Sequence, residues 1–393
     1  MKYFNRIIRF FASVDEEVLS SLFLFGIIVL ITICFIAIYD FFNNHSKGRQ
    51  YSNLYKCKYV YFWLPFILPI YWYALRYDVG TDYCNYMYIF NCMSEMNNII
   101  EVYNSRIHSE FLYKLINYWS CCIDDYGISL WFIVASILFF FWGNSLYFFK
   151  NSIYCWVGVL FLLLDHFMYS TSCVRFLLAG SIILYSLRYI YNENFVRFCL
   201  CIGLSACFHK TALLCLGFYW LRDLNNKMNN YWRDVLMWIS FFILPILAKT
   251  IVNFVTTQLP LFYCYSAFNN SEKESGLLLN FLLYMPILAI CLFYKKNILR
   301  NNPKNVLLLN IFLYTVPFAF LGNNISVANR LSYYFSIVEI IIIPLLIKNI
   351  KGKLQKTMVL LFFIAYYFAM HVYIYIMPSR SFYPYKSICS FFW

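Results

Sequence analysis

Long apolar runs separated by short polar breaks dominate the chain. A helix that crosses a bilayer needs about 20 mostly apolar residues, within a range of about 17–25. Val18–Tyr39, Ile128–Phe149, Ile153–Tyr169, Val174–Tyr191, Val235–Val255, Gly276–Tyr294, Asn305–Leu321, Leu331–Ile347 and Thr357–Ile376 meet that requirement. Tyr59–Leu75 is shorter and holds Pro65 and Pro69; inside a bundle, neighbouring helices can satisfy the carbonyls that such a kink frees. Phe195–Phe208 and Thr211–Leu221 are each too short to cross alone, and together they are long for one helix.

Composition agrees with this pattern. Of 393 residues, 62% are apolar and 12% charged, against about 25% charged in a soluble chain. A soluble enzyme, a disordered tail and a fibrous repeat are thereby excluded. The net charge is +13. In so apolar a chain the basic residues are expected in loops facing an anionic leaflet, with no role in nucleic-acid binding.

Cytoplasmic loops carry the excess of Lys and Arg, and this settles the ambiguous pair. If 195–221 is a hairpin that enters and returns, one side collects +14 and the other −1, with a neutral N-terminal segment. A single crossing there would set the two later +4 loops opposite the first +3 loop. The expectation is an all-α, polytopic membrane bundle of about 12 segments spanning 18–376, with an outer segment at 76–127 and an outer-face tail at 377–393. Residues 1–17 are expected to lie in the interface, with Ile7, Ile8, Phe10 and Phe11 toward lipid. No cleavable signal peptide is expected, since Val18–Tyr39 reads as a full span. Phe111–Trp119 is amphipathic and suits the interface. The 15 Cys are scattered, Cys121 and Cys122 are vicinal, and no C-x-x-C pair exists; they read as small core residues.

Ionisable residues at membrane depth are candidates for function. Four clusters fall near the outer face. Arg76, Asp78, Gly80, Thr81, Asp82 and Tyr83 follow the Tyr59–Leu75 span. Asp165 and His166 precede Arg175, which opens the next helix. His209 and Lys210 occupy the turn of the hairpin. Asn329 and Arg330 precede the span that carries Tyr333, Tyr334 and a mid-helix Glu339. Arginine forks fit phosphate oxygens and stay charged, so this set suits an anion. Plainer roles compete: Arg76 and Arg330 as snorkelling anchors, Asp165 paired with Arg175, His209 as a structural turn residue, Glu339 as partner of a buried donor, and Lys249 as a snorkelling residue.

The clusters, in this order, resemble the EpsG/Wzy-type family of polysaccharide polymerases. The resemblance rests on Arg76-x-x-Val79-Gly80-Thr81-Asp82-Tyr83, Val174-Arg175-x-x-x-Ala179, Phe208-His209-Lys210-Thr211-Ala212-Leu213 and Asn329-Arg330-Leu331-x-Tyr333-Tyr334, with Pro384-Tyr385-Lys386 near the end. It runs from about residue 59 to the C-terminus. Phe176 departs from the pattern, standing where the family usually has Gln after the Arg.

The resemblance implies a bundle similar to the GT-C type of membrane glycosyltransferase and an inner-membrane enzyme of O-antigen or a related surface polysaccharide. Such enzymes move a growing glycan from its undecaprenyl-diphosphate carrier onto the next lipid-linked repeat unit at the outer face of the membrane. A chain-length regulator is a possible further partner. Charge builds on the departing diphosphate, so positioned cations accelerate the step. Arg175 and Arg330 are the first choices for that role, with Arg76 and Lys210 beside them. No acidic pair faces a second ligand set, so neither a metal nor another cofactor is expected; Asp124–Asp125, the best objection, reads as a loop cap. His209 or Asp82 is the base for the acceptor hydroxyl. Asp78, Gly80, Thr81, Tyr83, Asn329, Tyr333, Tyr334 and Glu339 support the site. A lipid-linked oligosaccharide flippase or transporter and an O-antigen ligase are the alternatives: the first would favour internal repeats, the second a larger late outer loop. Asp165-His166, being adjacent, is poor geometry for an acyltransferase relay.

Overall fold

The computed structural model describes residues 16–45, 59–223, 227–258, 277–321, 326–376 and 382–388. The expected interfacial segment lies almost wholly outside them, as do the side chains of Lys249, Asn329 and Arg330. Among the described residues the chain is helical, with no strand beyond an isolated antiparallel bridge, Arg76 to Ser387. Among the described residues six helices are long and apolar enough to cross a membrane: Glu16–Asn44, Ile128–Phe149, Cys155–Ser172, Val174–Tyr191, Leu331–Asn349 and Lys353–His371. They mark a membrane protein. The chain divides into two compact units, the first being 1–143, 155–178 and 360–393, the second 144–154 and 179–359.

In the first unit the helix Glu16–His45 buries Phe25, Val29 and Ile36 on one face. Phe23, Leu30 and Phe35 on its other faces are exposed, as lipid contact requires. It packs on Cys155–Phe161, whose start is capped when Trp156 N donates to Asp40 Oδ2 at 3.0 Å. Phe25 stacks on both Phe167 and His371.

The stretch expected as an outer loop, 76–127, is largely helical: Tyr83–Ser94, Ile99–Asn104 and Phe111–Cys121. Local chemistry accounts for it. Asn98 caps the second helix by accepting from Glu101 N. Phe111–Cys121 buries Tyr113, Ile116 and Ser120 at helical spacing. Asp124 caps the span Ile128–Phe149, its carboxylate accepting from the N–H groups of Tyr126, Ile128 and Ser129 at 2.9, 3.0 and 2.7 Å. Partial burial works to raise the Asp124 pKa, but these bonds outweigh it and hold the carboxyl below its ordinary value. Asp124 is thus the cap expected of it. Burial, with Cys122 and Asp124 adding, pushes the Cys121 thiol up to about 12, which keeps it an inert packing group.

The second unit carries the expected hairpin: helix Phe195–Ala206, a turn, then a 3-10 helix Lys210–Leu221. Twelve residues are long for a 3-10 helix, whose runs seldom exceed three or four. Val306–Leu321 packs against Ser326–Ser336 and against Leu277–Phe293. Pro286, Pro317 and Pro344 lie inside helices. A turn at 337–338 interrupts the span expected at Leu331–Ile347. Glu339 therefore opens the helix Glu339–Asn349 and is not a mid-helix residue. An acid in a first turn suits the positive end of the helix dipole.

Candidate functional site

In the first unit the Arg76 motif is built against the end of a helix. The stretch Cys155–Ser172 widens to π-helix over Leu162–Phe167, where Asp165 and His166 sit, and stops at Cys173. Such wide turns recur at functional sites. A helix end exposes carbonyls with no intrahelical partner, and residues 73–81 supply partners. Tyr73 Oη donates to Ser170 O at 3.0 Å, Arg76 Nη1 to Thr171 O at 2.9 Å, and Thr81 N to Ser172 Oγ at 2.8 Å. A guanidinium at a helix C-terminus also meets the negative end of the dipole. Gly80 has φ +103, and a Cβ there would fall 2.4 Å from Thr171 O. Only glycine fits both the left-handed backbone and that approach.

Arg76 is 1% exposed and stacks between the rings of Tyr73 and Trp131, at 4.2 and 3.8 Å. It is no snorkelling anchor. Among the described residues no carboxylate pairs with it, and its Nε and Nη2, both buried, have no protein partner. A buried cation without a counter-ion is costly; cation–π contact offsets part of that cost, and an anion at the two remaining nitrogens would offset more.

The C-terminal segment straps this loop. Tyr77 N donates to Lys386 O at 2.8 Å and Ile388 N to Leu75 O at 2.9 Å. Lys386 Nζ lies 3.3 Å from Asp78 Oδ2, and Asp78 holds a left-handed φ of 52°. Tyr385 stacks on Trp72 and donates to its carbonyl. Tyr383 Oη is 3.2 Å from His371 Nε2, and His371 Nδ1 is 2.7 Å from Leu164 O. The tail therefore bonds the Arg76 loop directly and, through His371, is linked to the π turn.

Arg175 is the second residue of Val174–Tyr191, as expected. It pairs with Glu110, Nη1 to Oε2 at 2.6 Å, and not with Asp165. The Asp165 carboxylate instead accepts from Tyr375 Oη at 2.7 Å. Asp165 Oδ2 and His166 Nε2 are 3.9 Å apart, and both are ligand types for a cation. Around the arginines lies an aromatic wall. The Tyr86 ring is 5.7 Å from Tyr113 and 6.2 Å from Trp131, and Tyr83 is 5.7 Å from Trp131. Burial pushes the Tyr86 hydroxyl pKa well up, with the Arg175 charge pulling the other way, so it stays protonated as a donor. Asp82 precedes the helix Tyr83–Ser94, half-buried, and its carbonyl accepts from Tyr86 N at 3.1 Å.

In the second unit His209 is buried in extended backbone between the two arms of the hairpin. Its N–H donates to Ser205 O, and its carbonyl accepts from Ala212 N, each at 3.0 Å. Ser205 Oγ donates to Ala179 O at 2.8 Å. Lys210 is half-buried at the start of the 3-10 helix. Thr211 Oγ1 and Tyr334 Oη lie 3.2 Å apart, joining the third cluster to the fourth. Tyr333 is half-buried and Glu339 buried.

Sequence reasoning missed Glu110, Tyr73, Tyr86, Tyr113 and Trp131. Tyr73 could have been found, since i, i+3 spacing places it beside Arg76. Nothing in the spacing links Glu110 to Arg175, 65 residues away.

Helices long and apolar enough to span a membrane define a membrane protein, and in its first unit Arg76 is buried among aromatic rings. The profile of the EpsG family matches residues 59–387. The chain belongs to that family, which is the family of Wzy-type polysaccharide polymerases. Membership suggests a polysaccharide polymerase or a related function, of glycosyltransferase-like type. No curated protein and no solved structure matches the chain.

Proposed function

We propose that the chain polymerises O-antigen or a related surface polysaccharide, transferring the undecaprenyl-diphosphate-linked growing glycan onto a lipid-linked repeat unit at the outer face of the inner membrane. The observation that carries this reading is Arg76: a fully buried guanidinium, stacked on two rings, with two nitrogens that meet no protein acceptor. A lipid diphosphate leaving group supplies the matching oxygens.

In this reading Arg76 and Arg175 hold the diphosphate, with Arg330 and Lys210 as further cations. As the anomeric carbon–oxygen bond to the carrier breaks, negative charge grows on the departing diphosphate, and fixed guanidinium donors stabilise it more than the ground state. His209 or Asp82 takes the proton of the acceptor hydroxyl while that oxygen bonds to the anomeric carbon. The GT-C-like architecture and the count of about 12 segments belong to this proposal.

The test is a deletion strain complemented with wild-type chain, Arg76→Gln or Arg175→Gln. The reading expects the deletion and both variants to lose long glycan chains while keeping the single-unit glycan. Loss of every capped form would point to a flippase or ligase and would overturn it.

A further inference from the structure

The Glu110–Arg175 pair stands out because Arg175 has a largely buried carboxylate partner and Arg76 pairs with none among the described residues. Glu110 occupies the cap position of Phe111–Cys121, with φ −68 and ψ 147. Its carbonyl accepts from Lys114 N at 3.1 Å. Glutamate is not among the usual capping residues, so its carboxylate is free to serve a partner outside its own helix. No such side-chain cap forms. Asn98 and Asp124, both in the same outer segment, do cap their helices. Glu110 instead reaches Arg175 at 2.6 Å with a side chain only 8% exposed, while Arg175 remains 25% exposed. Only one arm of the guanidinium is engaged in this contact, and its Nε has no protein partner. Among the described residues Arg76 has no carboxylate partner. The two cations therefore differ: one rests uncompensated, the other rests neutralised.

Resting on the polymerase reading above, we propose that Glu110 is the resting counter-ion of Arg175 and a positioning residue for it. In the empty site the carboxylate aims the guanidinium and balances its charge. When the diphosphate arrives, it competes with Glu110 for the fork. The carboxylate thereby weakens diphosphate binding and drives release of the spent carrier, so that turnover gains what ground-state affinity loses. Glu110 touches neither sugar nor phosphate and acts through Arg175.

The experiment uses the full chain in lipid nanodiscs, with inorganic pyrophosphate as the binding probe and lipid-linked repeat units for turnover. Glu110→Gln keeps the shape and removes the charge. It is expected to bind pyrophosphate about tenfold more tightly than wild type and to lower kcat together with KM, with a lowered melting temperature because Arg175 loses its counter-ion. Glu110→Asp keeps the charge on a shorter arm, and an affinity between wild type and Glu110→Gln is expected. A purely structural Glu110 would weaken binding in both variants, which overturns the proposal. Unchanged pyrophosphate affinity in Glu110→Gln also overturns it and leaves the polymerase reading standing. If Arg175→Gln binds pyrophosphate as wild type does, the diphosphate role of Arg175 falls and the proposal falls with it.

Discussion

The arginine cluster of the first unit and the histidine turn of the second are held by different kinds of bond. Tyr73, Arg76 and Thr81 each bond to a helix end more than 90 residues away in sequence. Arg175 is held by a carboxylate 65 residues back. The backbone of the His209 turn, by contrast, is closed by bonds within four residues, to Ser205 O and from Ala212 N, and Thr211 adds a hydroxyl contact to Tyr334. Charge buried by tertiary contact is expensive, whereas a turn closed by local hydrogen bonds is cheap. The first arrangement persists because something repays its cost; the second closes a tight turn with hydrogen bonds between near neighbours.

The sharpest break between the two regions comes from Arg76→Gln. One amide donor can still serve Thr171 O, and removing the uncompensated charge returns part of the lost stability. Thermal unfolding should move by only a few degrees, while polymer output falls on the order of 100-fold, the usual loss for one preorganised charge donor. A large drop in melting temperature would instead make Arg76 a structural cap. Gly80→Ala comes next. Its φ of +103 and the 2.4 Å approach to Thr171 O predict a loss of about 1–3 kcal/mol of stability, together with weakened polymerisation, readable by denaturant titration and glycan gels.

His209→Ala and Asp82→Ala, compared for polymer length at equal protein level, probe the second region against the first. His209→Ala should shorten or abolish the polymer. Wild-type polymer from that variant would pass the base role to Asp82. The smallest effect belongs to Asp124→Asn, which weakens a helix cap worth about 1 kcal/mol. Because the folded carboxyl sits below its ordinary value of 3.8, its stabilisation is complete above that value and is lost as pH falls through the depressed one. Melting curves of wild type and Asp124→Asn should converge below pH 3.8 and separate above it.

Much of the architecture was legible because lipid enforces apolar length. The span Ile128–Phe149 and the opening of Val174–Tyr191 coincide with the expected limits. Loop charge placed His209 at the hairpin turn where the structure has it. What escaped was whatever depends on distant partners. Of the helices within 76–127 the amphipathic Phe111–Trp119 stretch was legible, while Tyr83–Ser94 and Ile99–Asn104 are too short and mixed with polar residues to stand out. The Glu110–Arg175 pair and the Tyr73–Arg76–Trp131 stack join residues that no period connects. Glu339 was misplaced because an unbroken apolar run hides a turn that packing, not composition, creates.

The central claim is tested most directly with the purified chain in proteoliposomes supplied with undecaprenyl-diphosphate-linked repeat units. The account predicts a ladder of multi-repeat glycans, with one undecaprenyl diphosphate released per bond formed, and no ladder from Arg76→Gln or Arg175→Gln. Repeat units that stay single with the folded wild-type chain, or a full ladder from both arginine variants, would contradict it.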